Sequence, residues 1–307
     1  MPLVKVQSRG TQNVGSGRNN LIMNPFMEIA QRGTSASSKT ASGYYTCDRW
    51  RTEASGATFN TSQQSNTASD MATTGAKHFL RMEVTTANNN SGISQKIEAR
   101  NIRQFKGQKL TLSFYAKGTN PYGGSFDVVR FFSDDSTAST QEKSSLTVTS
   151  SFVKYTYTFD YPDEGSVTMT DANAKMALSF LQPDGDTSTN AWTLDITAVQ
   201  LEVGTQASDI RYRSFEEELN DCRRYFQALG NFGTGDVTAN RFYNADYVNI
   251  HSFIRATYSK MRVQPNIDYT EHSGTMHTDY STNGMIQLYY SSDTNVRITE
   301  VTCEAEL

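Results

Sequence analysis

The run from Trp192 to Gln227, WTLDITAVQLEVGTQASDIRYRSFEEELNDCRRYFQ, constrains the fold most, because its periodicity changes once along its length. Trp192 to Val203 alternates apolar and polar residues, the pattern of a half-buried strand. Gly204 to Ser208 is small and polar and reads as a turn. Ser214 then stands three residues before Glu217, the spacing of a capping box, and predicts a helix from Ser214 to Gln227. Phe215, Leu219, Cys222 and Phe226 recur at helical spacing and form one apolar stripe. Glu216, Glu217 and Glu218 open this helix and Arg223 and Arg224 close it, which suits the helix dipole at both ends. A helix this short is marginal alone in water. Its stripe is therefore predicted to be buried, against an adjoining domain or against its own copies around a threefold axis. A strand that closes one β-domain hands over to a helix that begins another.

The 307 residues exceed one typical core and suggest more than one domain. Tyr and Phe, at 16 each, sit among many Ser, Thr and Asn, a mixture of strand and turn formers. The fold class expected is all-β: a jelly-roll β-sandwich, a short linking helix, then a smaller β-domain, preceded by an extended N-terminal arm. Strand candidates are Phe79–Thr85, Gly92–Ile97, Lys109–Lys117, Phe126–Phe132, Phe152–Phe159, Met176–Leu181 and Trp192–Val203, spaced as in a two-sheet sandwich. Asp48 to Arg51 leads into a further strand, and Arg32 to Ser42, rich in Ser, Thr and Ala, reads as a surface loop. Beyond the helix, strands are expected over 247–254, 266–269, 285–291 and 295–304, with an Asn283-Gly284 turn. The boundaries are an arm over 1–19, the jelly roll over 20–208, the linking helix over 209–229 and the small domain over 230–307. The last is thin alone, and trimeric or dimeric packing would help it bury enough surface.

A net charge of −4 without a Lys/Arg stripe gives no footprint for nucleic acid. Lys5, Arg9 and Arg18 face no acidic residue before Glu28, so the arm is either solvated or anchors on an acidic partner. Cys47, Cys222 and Cys303 are too widely spaced for a disulfide framework or a metal motif, and assembly in a reducing cytosol fits them. No apolar run matches a signal peptide or a membrane span. No nucleophile elbow, phosphate loop or paired metal motif occurs, and His78, His251, His272 and His277 lack zinc spacing. Asp134-Asp135 is a carboxylate pair of the type glycoside hydrolysis needs, though a solvated loop explains it better. Asp184-Gly185-Asp186 reads as a turn. The chain is expected to be no enzyme and to need no cofactor.

Sugar binding on β-sandwiches uses exposed aromatic rings flanked by polar side chains. Tyr44 and Tyr45 lie in a polar loop and Tyr122 lies in the turn Asn120–Gly124. Tyr289 and Tyr290 are adjacent on a strand, so they face opposite ways. These five are the candidate glycan contacts. Trp50 and Trp192 fall in alternating strands and are assigned to the core.

Several motifs occur in one order. Asn20–Asn24 (NLIMN), Ala30–Ser35 (AQRGTS) and Asp48-Arg49-Trp50 resemble the opening of a family of bacteriophage tail-fibre proteins. Lys109–Lys117 resembles that family's "TLSFWAK" strand, Val199–Gly204 its "VQLE-G" strand end, and Ser214–Gln227 its "EEL--C-RYYQ" helix. Met261-Arg262 with Pro265, and the closing Glu304–Leu307, resemble the small C-terminal β-domain of such fibres. The resemblance runs from residue 20 onward. It implies a carbohydrate-binding-module-like jelly roll in a virion appendage, usually a homotrimer, assembled in the host cytoplasm. It further implies a receptor-binding adhesin for host surface polysaccharide, joined to other virion proteins by residues 1–19 through Lys5, Arg9 and Arg18. A structural calcium of that module family would nominate Glu28 and Asp195. Asn24-Pro25-Phe26 departs from the family, where many relatives carry Asn-Gly. The chain is also shorter than many fibres, which leaves open an architectural role in capsid, neck or tail decoration that binds only other virion proteins.

Overall fold

The computed structural model describes residues 20–86, 91–121, 124–183, 190–231, 254–257, 260–271, 276–281, 285–290 and 298–307. The strands up to the helix are β1 (Ser35–Gly43), β2 (Trp50–Ser65), β3 (His78–Thr86), β4 (Gly92–Glu98), β5 (Lys109–Thr119), β6 (Phe126–Ser133), β7 (Glu142–Leu146), β8 (Val153–Asp160), β9 (Lys175–Leu181) and β10 (Trp192–Val203). Two short helices, α1 (Ala68–Thr74) and α2 (Ala99–Ile102), lie between them. The order β7-β6-β9-β4-β2-β3-β10-β5-β8 is one hydrogen-bonded path. It forms two layers because β2 changes partner midway: Trp50 to Glu53 pair with β4, and Thr58 to Ser65 with β3. Gly56 lies between the two halves at φ 78, where a side chain would be strained. The first layer is β7-β6-β9-β4 and the start of β2; the second is the end of β2, then β3-β10-β5-β8.

The layers close on each other as a jelly-roll β-sandwich. Phe114 of β5 meets Phe180 of β9 edge-on at 4.8 Å, and Phe126 of β6 meets Trp192 of β10 at 5.0 Å. Leu80, Met82, Leu112, Leu178, Leu194 and Ile196 fill the space between. Both tryptophans are in the core, as the alternation required. Their indole N–H groups donate to the Asn24 carbonyl (Trp50, 3.0 Å) and the Gln182 side chain (Trp192, 2.9 Å).

Arg32 to Ser42 departs from the sequence expectation, because most of it is strand β1, antiparallel to β2 with repeated register shifts. Its residues are largely exposed, so no apolar alternation marks it. Helix α1 is capped at its start by the Thr67 hydroxyl and ends on Gly75 at φ 71.

The helix after β10 is α3 (Phe215–Arg223), with Ser214 and Glu217 forming the capping box. Its buried stripe differs from the one predicted. Phe215 is 52% exposed and Leu219 half-buried, whereas Glu218, Cys222 and Tyr225 are buried. The inward face is turned because a hydrogen-bonded carboxylate occupies it. Glu218 accepts from the Asn24 backbone N–H at 2.9 Å and pairs with Arg213 at 2.9 Å. Phe226 is buried, but as the first residue of β11 (Phe226–Asn231) rather than as part of the helix.

The later strands are β12 (Ile254–Thr257), β13 (Asn266–Glu271), β14 (Met276–Ser281), β15 (Met285–Tyr290) and β16 (Ile298–Glu304). They form two 3-stranded sheets, β11-β16-β13 and β12-β15-β14.

Candidate functional site

Alternation along the strands gives each layer an inner and an outer face, and the two outer faces carry different chemistry. On the first layer, Ile93 and Ile97 of β4 point into the core, which turns Ser94, Lys96 and Glu98 outward. The C-terminal chain packs at the Lys96–Glu98 end. Lys96 Nζ donates to the Leu307 carbonyl at 2.9 Å, and so does the Tyr44 hydroxyl at 3.3 Å. Glu98 accepts both Nε and Nη2 of Arg224 at 3.1 Å, and the Tyr225 hydroxyl. Arg49, 1% exposed, pairs with Glu306 and lies 3.5 Å over the Tyr225 ring. Arg32 pairs with Glu304 and Glu306 at 3.3 Å and lies 3.6 Å over Phe226.

Charges so enclosed titrate abnormally. Burial pushes the Asp48 carboxyl up to about 6, against its hydrogen bonds from Gln31 and the charge of Arg32. Burial likewise lowers the Lys96 ammonium to about 8. Burial opposes the charge of Arg49, yet Glu306, Tyr225 and Tyr44 hold its guanidinium above the ordinary value. This cluster is a fastening between the sandwich and the C-terminal strands. A cleft among its residues, lined by Leu21, Met23, Arg49, Gln95, Glu98 and Tyr225, leaves no room for a water molecule.

The second layer's outer face is open at Glu83 and Arg81, whereas Asp195, Thr197 and Phe79 are buried on it, and strand register sets its groups side by side. Asn60, Glu83, Thr193 and Thr119 lie across β2, β3, β10 and β5 as one row. Ser62, Arg81, Asp195 and Lys117 form the next. Within the first row Asn60 Nδ2 donates to Glu83 at 3.0 Å and the Thr119 and Thr193 hydroxyls meet at 3.2 Å. In the second, Arg81 Nε and Nη2 donate to the two Asp195 oxygens at 2.8 and 2.7 Å, and Lys117 pairs with Asp70 of α1 at 3.0 Å. Lys117 also lies 4.3 Å over the Phe152 ring. Burial raises the Asp195 carboxyl, while the hydrogen bonds that Arg81 donates to Asp195 hold its guanidinium above the ordinary value; the half-exposed guanidinium keeps the hydration that the carboxylate has lost. The result is a flat lattice of fixed hydroxyl, amide and charged groups.

The predicted site residues scatter. Tyr44 is no open platform: its hydroxyl bonds Leu307, and burial, followed by the Glu306 charge, raises its ionisation well above the usual phenol range. Tyr45 is half-buried, edge-on to Phe59 at 6.0 Å, with its hydroxyl on the Ala41 carbonyl. Tyr122 lies outside the described residues, as do Lys5, Arg9, Arg18 and the Asp184–Asp186 turn. Tyr289 and Tyr290 pair with His277 and Met276 across β15 and β14. Asp134 accepts from the Thr168, Ser136 and Thr137 backbone N–H groups, which hold its carboxyl well below the usual range and fit it to a turn. Asp195, nominated for calcium, has Arg81 as its cation instead. Among the described residues no group of three or more His, Cys, Asp or Glu is placed to hold a metal ion.

The open face itself was missed. Its signal was the polar half of the same alternation that revealed the core: Arg81 and Glu83, Thr193 and Asp195, Lys117 and Thr119. Only register brings those pairs together.

No protein-family model matches the chain, and no curated protein sequence matches it. Among solved structures it is similar to the enzymatically active domain of bacteriophage CBA120 tailspike protein 4, at 14% identity and TM-score 0.36, over 61% of this chain and 22% of that one. It is similar also to the family 11 carbohydrate-binding module of the Clostridium thermocellum cellulase Lic26A-Cel5E, at 12% identity and TM-score 0.35, over 57% of this chain and 99% of the module. The CBM22-1 xylan-binding domain of Paenibacillus barcinonensis Xyn10C matches at 14% identity and TM-score 0.32, over 58% of this chain and 99% of the domain.

Proposed function

We propose that the chain is a non-catalytic adhesin of a bacteriophage particle, a short tail fibre that binds host surface polysaccharide on the outer face of the second layer. The observation that carries this reading is the pair of rows Asn60–Glu83–Thr193–Thr119 and Ser62–Arg81–Asp195–Lys117. Hydroxyl-rich ligands are held by convergent, pre-positioned donors and acceptors, and packing and mutual bonds fix these groups before any ligand arrives. The ordered tail-fibre motifs support the virion setting. In this reading residues 1–19 attach the chain to the particle, and a homotrimer multiplies weak sites into useful avidity.

The test is binding of the intact chain to an immobilised array of bacterial lipopolysaccharide O-chains and capsular polysaccharides, with new reducing ends assayed in parallel. Binding without new reducing ends is the expected result. New reducing ends would replace the adhesin with a depolymerase. Absence of binding, with a collar or shell position in images of the particle, would replace it with an architectural role.

A further inference from the structure

One exposed aromatic ring, which the sequence had not nominated, is seated on another ring. Tyr212, in the segment between β10 and α3, is 59% exposed, yet its ring lies parallel to that of Phe26, with centroids 4.2 Å apart and planes 4° apart. Phe26 is itself buried on Ala76 and Ala198, with Tyr115 and Ile210 packed beside it. The Tyr212 hydroxyl stands 2.9 Å from where a Cβ on Gly75 would be, so the glycine that ends α1 also makes room for this ring. One face of Tyr212 is therefore fixed by stacking and the other is open to solvent.

Its position lies at the far end of the same layer, beyond the buried Thr197 and Phe79. Along β10 the outward residues run from Thr193 through Asp195 to Thr197, and Thr197 pairs with Tyr115 of β5. The next residue of β10 is Ala198, on which Phe26 sits. The ring thus ends the same outer face that begins at the Asn60–Glu83 row, about 17 Å away along the strand at ~3.3 Å per residue.

We propose that Tyr212, seated on Phe26, is a stacking subsite for one sugar ring of a glycan bound on this side of the sandwich. The open ring face takes the apolar C–H side of the sugar. This inference rests on the proposed glycan-binding function and adds a residue to it.

The experiment measures dissociation constants of the intact chain and of Tyr212→Ala, Tyr212→Phe and Glu83→Ala on the same array of O-chains and capsular polysaccharides, with melting temperatures and sedimentation for each. Tyr212→Ala should weaken binding about tenfold, the weight of one rigid aromatic anchor, with an unchanged melting temperature. Tyr212→Phe keeps the ring and should stay within about twofold of the parent. If Tyr212→Ala binds as the parent does while Glu83→Ala weakens binding, the subsite is overturned and the polar face stands. If the parent binds nothing on the array, the glycan-binding function and the subsite fall together. A drop in oligomer size in Tyr212→Ala with unchanged glycan affinity would make the ring a contact between copies and overturn the subsite.

Discussion

The two outer faces of the sandwich start from the same alternation and end differently. On the first layer, Lys96 and Glu98 are drawn into a closed cluster with Tyr44, Tyr225, Arg224 and the last residues of the chain. On the second, Arg81, Glu83 and Thr193 lie in rows that no C-terminal contact reaches among the described residues. The contrast lies in who satisfies the polar groups. Fastening charges are desolvated and bound to one another, so losing one leaves its partners buried with less compensation. Lattice groups such as Glu83 and Arg81 keep solvent on one side, so a ligand that brings its own hydroxyls can take water's place there with little rearrangement.

The largest effect should come from the closed face. Glu306→Ala leaves Arg49 buried without its carboxylate, and a loss of about 3–5 kcal/mol in urea unfolding is expected. A loss below about 1 kcal/mol would mean that the cluster does not fasten the C-terminal strands.

The Asp48 carboxyl gives a pH signature of the same face. Its folded value of about 6 lies above the ~3.9 of an unfolded aspartate, so the folded state binds this proton more tightly between those limits. The contribution of this group is full below about pH 4, falls as pH rises, and is lost above about 6, on the order of 2–3 kcal/mol in all. Asp48→Asn should flatten the stability profile across that window; an unchanged slope there contradicts the assignment.

The helix gives a smaller and sharper contrast. Glu218→Ala orphans the Asn24 N–H and should cost about 1–3 kcal/mol. Phe215→Ala, at an exposed position, should stay within ~0.5 kcal/mol. Thermal melts of the two variants decide which stripe is buried, and the reverse ranking would restore the apolar one.

Much of the sandwich was legible because its core strands alternate strongly. FLRMEVT, KLTLSFYAK and WTLDITAVQLEV each show one apolar face, and each is a strand with that face inward. Strand β1 was illegible because an exposed ribbon on β2 needs no apolar face. The helix stripe was misread because Glu218 looks like a first-turn charge suited to the dipole, and only the Asn24 turn, far away in sequence, makes it an interior residue. Tyr44 and Tyr45 stand out by loop composition, which says nothing of what packs on a loop. Tyr44 is covered by the chain's own last residues, and Tyr212 gains its open ring from a stack on Phe26. In both cases the deciding partner is remote in sequence.

The most direct test of the difference between the faces is a pair of binding titrations on the polysaccharide array. Glu83→Ala alters the open face and Lys143→Ala the other, where Lys143 pairs with Asp127 at 3.2 Å. Glu83→Ala should weaken binding about tenfold, or roughly 1.4 kcal/mol, and Lys143→Ala should leave it within about twofold. Loss of binding in Lys143→Ala with full binding in Glu83→Ala would place the ligand on the face that the C-terminal chain partly covers, and would contradict the account.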